Sequence, residues 1–352
     1  MSSAAKTSIF ITGATGYLGG SVLSCLLTHP SASNFEITAI VRSPEKANML
    51  ENFGVKTVIA SLDDVDKIEK LASQCHVVFS CADADHILSI KTILRGLEKR
   101  HATTGDRPVL IHTSGAAIFG DDARGLYASE TIWDDSDYKR IAAIPETALH
   151  RDVDTAIVKA DEAGYLRSYI VVPGTVYGMA TGPLVEAGIA NPHSLAIPYM
   201  IKTAIARGRA PVVGKGLAKW AGVHIEDMAD LYITLFDALL RNPENVGHGV
   251  DGFYVGESGE YSWLDISKAI GEALAALGVI KDPEPTPLTT DELIMYFGSE
   301  ERGLIGGTNA RARGTHSRSI GWKPKYTTDD MLASIMPEAQ AILKELADQK
   351  SV

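Results

Sequence analysis

Cysteine is scarce in this chain: Cys25, Cys75 and Cys81 stand alone with no CxxC pair among them. That excludes a disulfide framework and a thiolate zinc site and suits a reducing compartment, with the thiols read as core residues. No apolar run approaches the roughly 20 residues needed to cross a bilayer, and the opening Met-Ser-Ser-Ala-Ala-Lys-Thr carries neither a basic segment nor an apolar signal core. Neither secretion nor a membrane partner is expected, and the expected compartment is cytoplasmic. Positive charge is also short, with 33 Lys and Arg against 44 Asp and Glu for a net charge of -11, which argues against nucleic acid and anionic membranes as partners. Internal repeats and low-complexity tracts are absent. What remains is a 352-residue chain, 45% hydrophobic, able to bury the core of one large domain or two smaller ones.

Residues 8–20 read Ser-Ile-Phe-Ile-Thr-Gly-Ala-Thr-Gly-Tyr-Leu-Gly-Gly, placing Gly13, Gly16 and Gly19 in a GxxGxxG frame. An apolar run precedes the frame, and Leu18, Val22 and Leu26 follow at helical spacing until Pro30. A strand that ends at Thr12 and turns at once into a helix can lay a pyrophosphate on that helix's N-terminus only if the turn carries no obstructing side chain. Thr12, Thr15, Tyr17 and Leu18 complete the candidate cradle.

Apolar β-rich runs over 35–41, 55–60, 77–81, 109–113 and 168–172 alternate with helical stretches over 44–52, 87–100 and 153–165. This order predicts an α/β fold with a doubly wound parallel sheet, because each parallel crossover must lay a helix on one face. Longer helical segments over 198–207, 225–241 and 263–277 predict a smaller, mostly helical C-terminal substrate lobe. The division expected is 1–178 for the nucleotide-binding domain and 179–352 for the lobe, with strands near 222–225 and 252–255 returning to the sheet. The aperiodic Gly- and Arg-bearing stretch 303–317 is expected to be a mobile loop.

Cofactor choice is set at the tip of the second strand, where a carboxylate accepts from the ribose of NAD or an Arg takes the 2'-phosphate of NADP. The tip reads Val41-Arg42-Ser43 with no acid, so NADP is expected, with Arg42 forking to the phosphate and the Ser43 hydroxyl as second donor. The competing reading of Arg42 is a solvated loop charge. Asp83, Asp85 and His86 bear a likeness to a metal cluster, but alternation on a loop after a strand is more often capping, and no metal is expected.

The segment Thr12-Gly-Ala-Thr-Gly-Tyr-Leu-Gly19 resembles the extended and atypical members of the short-chain dehydrogenase/reductase superfamily. Val223-His-Ile-Glu-Asp227 and Ser319-Ile-Gly-Trp-Lys-Pro324 resemble later elements of the same superfamily. The resemblance implies a Rossmann fold. It implies adenine contacts at Ser61-Leu62, where Ser61 replaces the usual Asp and Asp63 stands in reserve, and a backbone passing the ribose at Cys81 and Ala82. It further implies a Pro-Gly element at Pro173, Thr175 and Val176, and a catalytic Ser at Ser114, following Thr113. The Tyr-x-x-x-Lys pair that the superfamily uses is absent between Ser114 and Pro173. Counting back from Pro173 places His150 in the Lys position, Asp154 in the acidic position after it, and Glu146 in the Tyr position. Lys159, with Thr155 before it, is the other candidate. Nine residues along a helix turn it about 900°, away from the cofactor. Tyr127 and Tyr138 remain as substitute acids or as loop anchors. Arg311, Arg313 and Arg318 suggest either a diphosphate clamp, as in nucleotide-sugar enzymes, or loop solubility.

The reading that results is NADP-dependent reduction of a carbonyl or imine of a small molecule, oriented by Ser114, with His150 and Tyr127 as further catalytic candidates and homodimerisation left open. The alternatives are a catalytically silent NADP sensor resembling NmrA-like redox regulators, and a nucleotide-sugar epimerase or dehydratase.

Overall fold

The computed structural model describes residues 6–350, the side chain of Lys350 excepted; residues 1–5, on which the leader reading rests, lie outside the described residues. The main strands are β1 (Thr7–Thr12), β2 (Phe35–Val41), β3 (Lys56–Ile59), β4 (Val77–Ser80), β5 (Val109–Thr113), β6 (Arg167–Pro173), β7 (Thr175–Tyr177), β8 (Lys219–His224), β9 (Phe253–Gly256) and β10 (Gly259–Ser262). The longer helices are α1 (Tyr17–Leu27), α2 (Pro44–Glu51), α3 (Val65–Gln74), α4 (Ile87–Thr104), α5 (Arg151–Glu162), α6 (Ala196–Arg207), α7 (Ile225–Arg241), α8 (Trp263–Ala276), α9 (Thr290–Phe297) and α10 (Thr328–Lys350).

Seven strands form one sheet in the order β9-β6-β5-β4-β1-β2-β3, and every pairing within it is parallel. The expected doubly wound Rossmann sheet is therefore present. Strand order reverses beside β1, which pairs with β2 on one side and β4 on the other, and a crevice opens beyond the carboxyl ends of the strands there.

Alternation along β1 sends Ile9 and Ile11 to one face and Phe10 to the other. On the first face lie Val22, Leu23 and Leu26 of α1 and Leu231, Leu235 and Phe236 of α7. Each such fully buried side chain contributes about 1.5–3 kcal/mol, which holds α1, and the glycine turn before it, against the sheet. On the second face lie Ile68 of α3, Ile93 and Leu97 of α4, and Ile157 of α5. That core continues without a break into Trp220, Trp263, Ile266 and Met331 of the C-terminal lobe.

Two expectations are revised. The stretch 252–255 lies at β9, paired with β6 in the main sheet, but 222–225 does not return there. β8 lies parallel to β7 and antiparallel to β10 in a separate three-stranded sheet. Its approach is tight: a Cβ on Gly174 would meet the Ala221 carbonyl oxygen at 2.6 Å. The stretch 303–317 is a pinned connection rather than a free loop. Asn309 alone accepts from the backbone N–H of Ser129 and Lys219 and donates to Asp121, and Ala312 pairs with Trp133. Side-chain bonds take the place of a regular ladder, so the sequence shows no period. α3 escaped the sequence reading because its buried apolar residues, Ile68 and Ala72, sit in a charged run. Among the described residues no helix is long and apolar enough to cross a membrane.

Candidate active site

The turn after β1 is built around glycine for steric reasons. Gly13 has φ +76°, and a Cβ there would meet the Cys81 carbonyl oxygen at 2.7 Å; one on Gly19 would collide with the Gly13 carbonyl oxygen. Gly16 caps α1 with no side-chain hydrogen bond, so the first-turn N–H groups face the crevice, where an anion can take them. The Tyr17 hydroxyl points away from them and donates to the carbonyls of Tyr177 and Gly178 at 3.0 and 2.6 Å. Tyr17 thereby ties the turn to β7 and would serve a cofactor only through its backbone.

A cavity of about 660 Å³ begins at this turn and runs over the tips of β2 and β3, lined by Gly13, Thr15, Gly16, Arg42, Ser61, Leu62 and Ala82 among others. Among the further lining residues, Lys46 and Asn191 escaped the sequence reading, and His86 is read there only as a capping residue. Lys46 was legible in principle. Ser43 followed by Pro44 signals a helix start, and the Ser43 hydroxyl accepts from the Lys46 N–H at 3.2 Å. The cap sets Lys46 beside Arg42, so the second cationic group at the strand tip is Lys46, while the Ser43 oxygen is engaged in the cap.

The remaining cofactor candidates are placed as follows. Thr12 is buried, and its hydroxyl accepts from the Cys81 N–H at 3.2 Å. Thr113 pairs with the Tyr232 hydroxyl at 2.6 Å and Thr175 with the Tyr261 hydroxyl at 2.5 Å. Leu18 packs partly buried beneath α1, Val176 is half-buried, and Pro173 is buried at the end of β6. Asp83 accepts from the Asp85 N–H, and His86 caps α4 by accepting from the Ser89 N–H. Both are local turn and capping contacts, and no group of three or more potential metal ligands occurs among the described residues.

Ser114 leaves the end of β5 with only 5% of its surface exposed, and its hydroxyl donates to Asp154 Oδ2 at 3.0 Å. Asp154, in the first turn of α5, is fully buried, and burial pushes its carboxyl up to about 7. Its other oxygen, Oδ1, has no partner, so little offsets the cost of ionising it. Next to this pair, His150 enters α5 with φ +67°. Its ring lies against Gly115, with Nε2 3.0 Å from where a Cβ would stand, and Nδ1 is 2.6 Å from Asp85 Oδ1. The hydrogen bond from His150 holds the Asp85 carboxyl below the usual carboxylate range. Buried His112 completes the group; burial lowers its pKa to about 3, so it is neutral.

Two readings of this region are corrected. The sequence count assumed that Glu146, His150 and Asp154 share a helix, but α5 begins at Arg151. Glu146 lies in the loop after Pro145 and pairs with Lys159 Nζ at 3.0 Å on the surface, so it does not stand in for Tyr, and Lys159 is outside the site. Arg311 is held bidentate by the Glu260 carboxylate at 2.8 Å, and Arg318 donates through Nη1 to the Glu257 carboxylate at 2.5 Å and through Nη2 to the Glu257 carbonyl at 3.1 Å. Neither is free to clamp a diphosphate. Tyr127 is 52% exposed and lines neither cavity, its carbonyl accepting from Asn309. Tyr138 starts a short surface helix, Tyr138–Ala142.

A second cavity, also about 660 Å³, lies against the C-terminal lobe and is walled by Tyr199, Trp220, Trp263 and Phe297, with Thr175, Leu149 and Asp85 at the sheet side. Asp85 lines this cavity while Ala82, Asp83 and His86 line the first. The loop 82–86 is thus the wall at which the two meet, and the His150–Asp85 pair stands on it.

Comparison with known proteins agrees with this architecture. The NmrA-like family matches residues 5–97. An oxidase of Acremonium sp, ucsJ, is 30% identical over 336 residues, covering 90% of this chain and 92% of the relative. The fold is shared with a UDP-glucose 4-epimerase of Thermotoga maritima solved with UDP-glucose (TM-score 0.64, 14% identity, 96% of this chain and 100% of that one). It is shared equally with a dTDP-glucose 4,6-dehydratase of Bacillus anthracis in complex with NAD (TM-score 0.64, 15% identity, 95% and 97%). The chain belongs to the same family as the ucsJ oxidase, its residues 5–97 match the NmrA-like family, and it shares its fold with nucleotide-sugar epimerases and dehydratases.

Proposed function

We propose that the protein is an NADP-dependent oxidoreductase that reduces a carbonyl or imine carbon of a small molecule without a Tyr-Lys pair. The observation that carries the reading is the meeting of two cavities at the loop 82–86, where Asp85 holds His150 and the His150 ring packs on Gly115 beside the buried Ser114–Asp154 pair. The residues fit the cofactor. A glycine cradle admits no side chain, an uncapped helix start faces the crevice, and Arg42 and Lys46 at the strand tip favour a 2'-phosphate.

The bound cofactor would supply a hydride to the electrophilic carbon. The chain's own residues supply the proton and the orientation. In its protonated form Asp154 donates to Ser114 Oγ, which frees the Ser114 proton to bond the substrate's oxygen or nitrogen. As charge builds on that atom the proton passes from Ser114, Asp154 replaces it, and the carboxylate is left to recover a proton from solvent. His150, with Nδ1 held by Asp85, turns Nε2 toward Gly115, in place to bond a ribose or substrate hydroxyl where Lys usually does. A relative named an oxidase is compatible, since hydride transfer runs in both directions.

A panel of ketones and cyclic imines with NADPH tests the proposal. Oxidation of NADPH is expected, falling at least 100-fold in Ser114→Ala while the Kd for NADPH changes less than threefold. Full activity in that variant would remove Ser114 from the mechanism. The match to the NmrA-like family supports a second reading, a redox sensor, which predicts tight NADPH binding with no turnover on any substrate in either direction.

A further inference from the structure

Resting on the reading of the second cavity as the substrate site, we infer that its ligand is a largely apolar, aromatic-stacking molecule bearing one anionic group, and not a nucleotide sugar. The walls come from four separate parts of the lobe: Tyr199 on α6, Trp220 on β8, Trp263 at the start of α8 and Phe297 at the end of α9. Trp220 and Trp263 meet edge to face at 5.8 Å, and Tyr199 and Phe297 pack at 5.2 Å. Rigid rings converging from several elements build a slot for flat apolar surface, and a volume of about 660 Å³ suits a molecule larger than a simple ketone.

Asp85, Thr175 and Ser267 on this wall are already engaged, by His150, Tyr261 and the Pro211 carbonyl, and two further polar groups are not. Trp263 lines the cavity and is only 6% exposed, yet its Nε1–H has no acceptor; a buried donor left unmade is costly, and a ligand oxygen that reached it would offset that cost. Arg302 lines the cavity and, among the described residues, its guanidinium forms no ion pair; its backbone is held by the Ser299 hydroxyl and the Ile305 N–H. An unpaired cation on a largely apolar wall, whose one carboxylate, Asp85, is already paired with His150, selects a single anionic group on an otherwise apolar ligand. A diphosphate would need several cations. Of the three arginines that the sequence offers for a diphosphate clamp, Arg311, Arg313 and Arg318, none lines this cavity, and Arg311 and Arg318 are already neutralised by Glu260 and Glu257.

The test uses the full-length protein saturated with NADP and two fluorescent probes that differ by one charge. These are 1-anilinonaphthalene-8-sulfonate and its uncharged analogue N-phenyl-1-naphthylamine, with UDP-glucose as competitor. Both probes are expected to bind at one site per chain, with energy transfer from tryptophan that falls in Trp263→Phe. Arg302→Gln should weaken the sulfonate probe about tenfold and the neutral probe less than twofold, Arg302→Lys should restore most of the loss, and millimolar UDP-glucose should displace neither. Failure of the sulfonate to bind, equal effects of Arg302→Gln on both probes, or displacement by UDP-glucose overturns the inference. NADP binding and turnover are measured on the same samples. Their loss alone would count against the reductase reading and leave the probe result standing.

Discussion

Asp154 governs the expected pH behaviour of the site, because burial moves its carboxyl up to about 7. Its folded-state pKa lies above the unfolded value near 3.9, so the native state holds a proton that the unfolded chain has lost. Its contribution to stability is fully present below about pH 4 and declines as the pH rises through about 7, by at most about 4 kcal/mol. Asp154→Asn cannot ionise, so the variant should lose that decline in urea titrations between about pH 4 and 7. Its turnover should fall about 100-fold and lose the drop above pH 7 that the proton relay imposes on the unaltered enzyme. An unchanged pH profile in the variant would take Asp154 out of the proton path. At the strand tip, Arg42→Ala should raise the KM for NADPH about 10- to 100-fold, the loss of one charge-assisted contact, with the KM for NADH within about twofold. Equal losses for both cofactors would mean that Arg42 does not read the 2'-phosphate. Residues whose task is local were legible in the sequence, as with Gly13 and Gly19, where the turn itself dictates glycine. Asp154 was legible as an acidic position, but its Ser114 partner lies 40 positions away, a pairing that only the crossing of β5 and α5 creates.

Elements with a clear apolar period were legible to within a few residues: β2, β5 and α7 coincide with the apolar runs that announce them. What failed was continuity across an unmarked helix start. α5 begins after His150 takes a left-handed φ of +67°, a conformation that a non-glycine residue adopts only when its surroundings hold it. Here the bond to Asp85 and the packing on Gly115 do so, and neither contact is visible from local spacing. The β1–α1 junction is the element whose geometry the cofactor depends on most. Gly19→Ala would push a methyl group into the Gly13 carbonyl oxygen, and the turn must open to accept it. We expect stability to fall by about 1–3 kcal/mol and NADPH affinity to fall more than tenfold in calorimetric titration, with the far-ultraviolet circular dichroism unchanged. NADPH binding at full strength in that variant would place the pyrophosphate elsewhere.

At the scale of the whole chain, the sequence suggested a nucleotide-binding domain interleaved with a C-terminal lobe, and the packing runs through both. One apolar core runs from Phe10 and Ile93 under the sheet to Trp220, Ile266 and Met331 in the lobe, and β9, from beyond residue 250, is hydrogen-bonded beside β6. The C-terminal helix adds a polar tie. Glu338 and Glu345 of α10 grip His193 at 2.6 and 2.9 Å, and two residues before it the Asn191 N–H donates to the Thr15 carbonyl at 3.1 Å, in the cofactor turn itself. A core shared in this way should unfold in one transition, and a ligand that binds only the folded turn should move the entire transition. At a hundredfold excess over Kd, NADPH adds about 2.7 kcal/mol. Unfolding entropy for a chain of 352 residues is about 0.7 kcal/mol/K near the midpoint, so Tm should rise by about 4 °C as a single calorimetric peak. A peak that splits on adding NADPH, with only one component shifting, would show that the lobe unfolds independently of the nucleotide-binding sheet and that the shared core does not couple them.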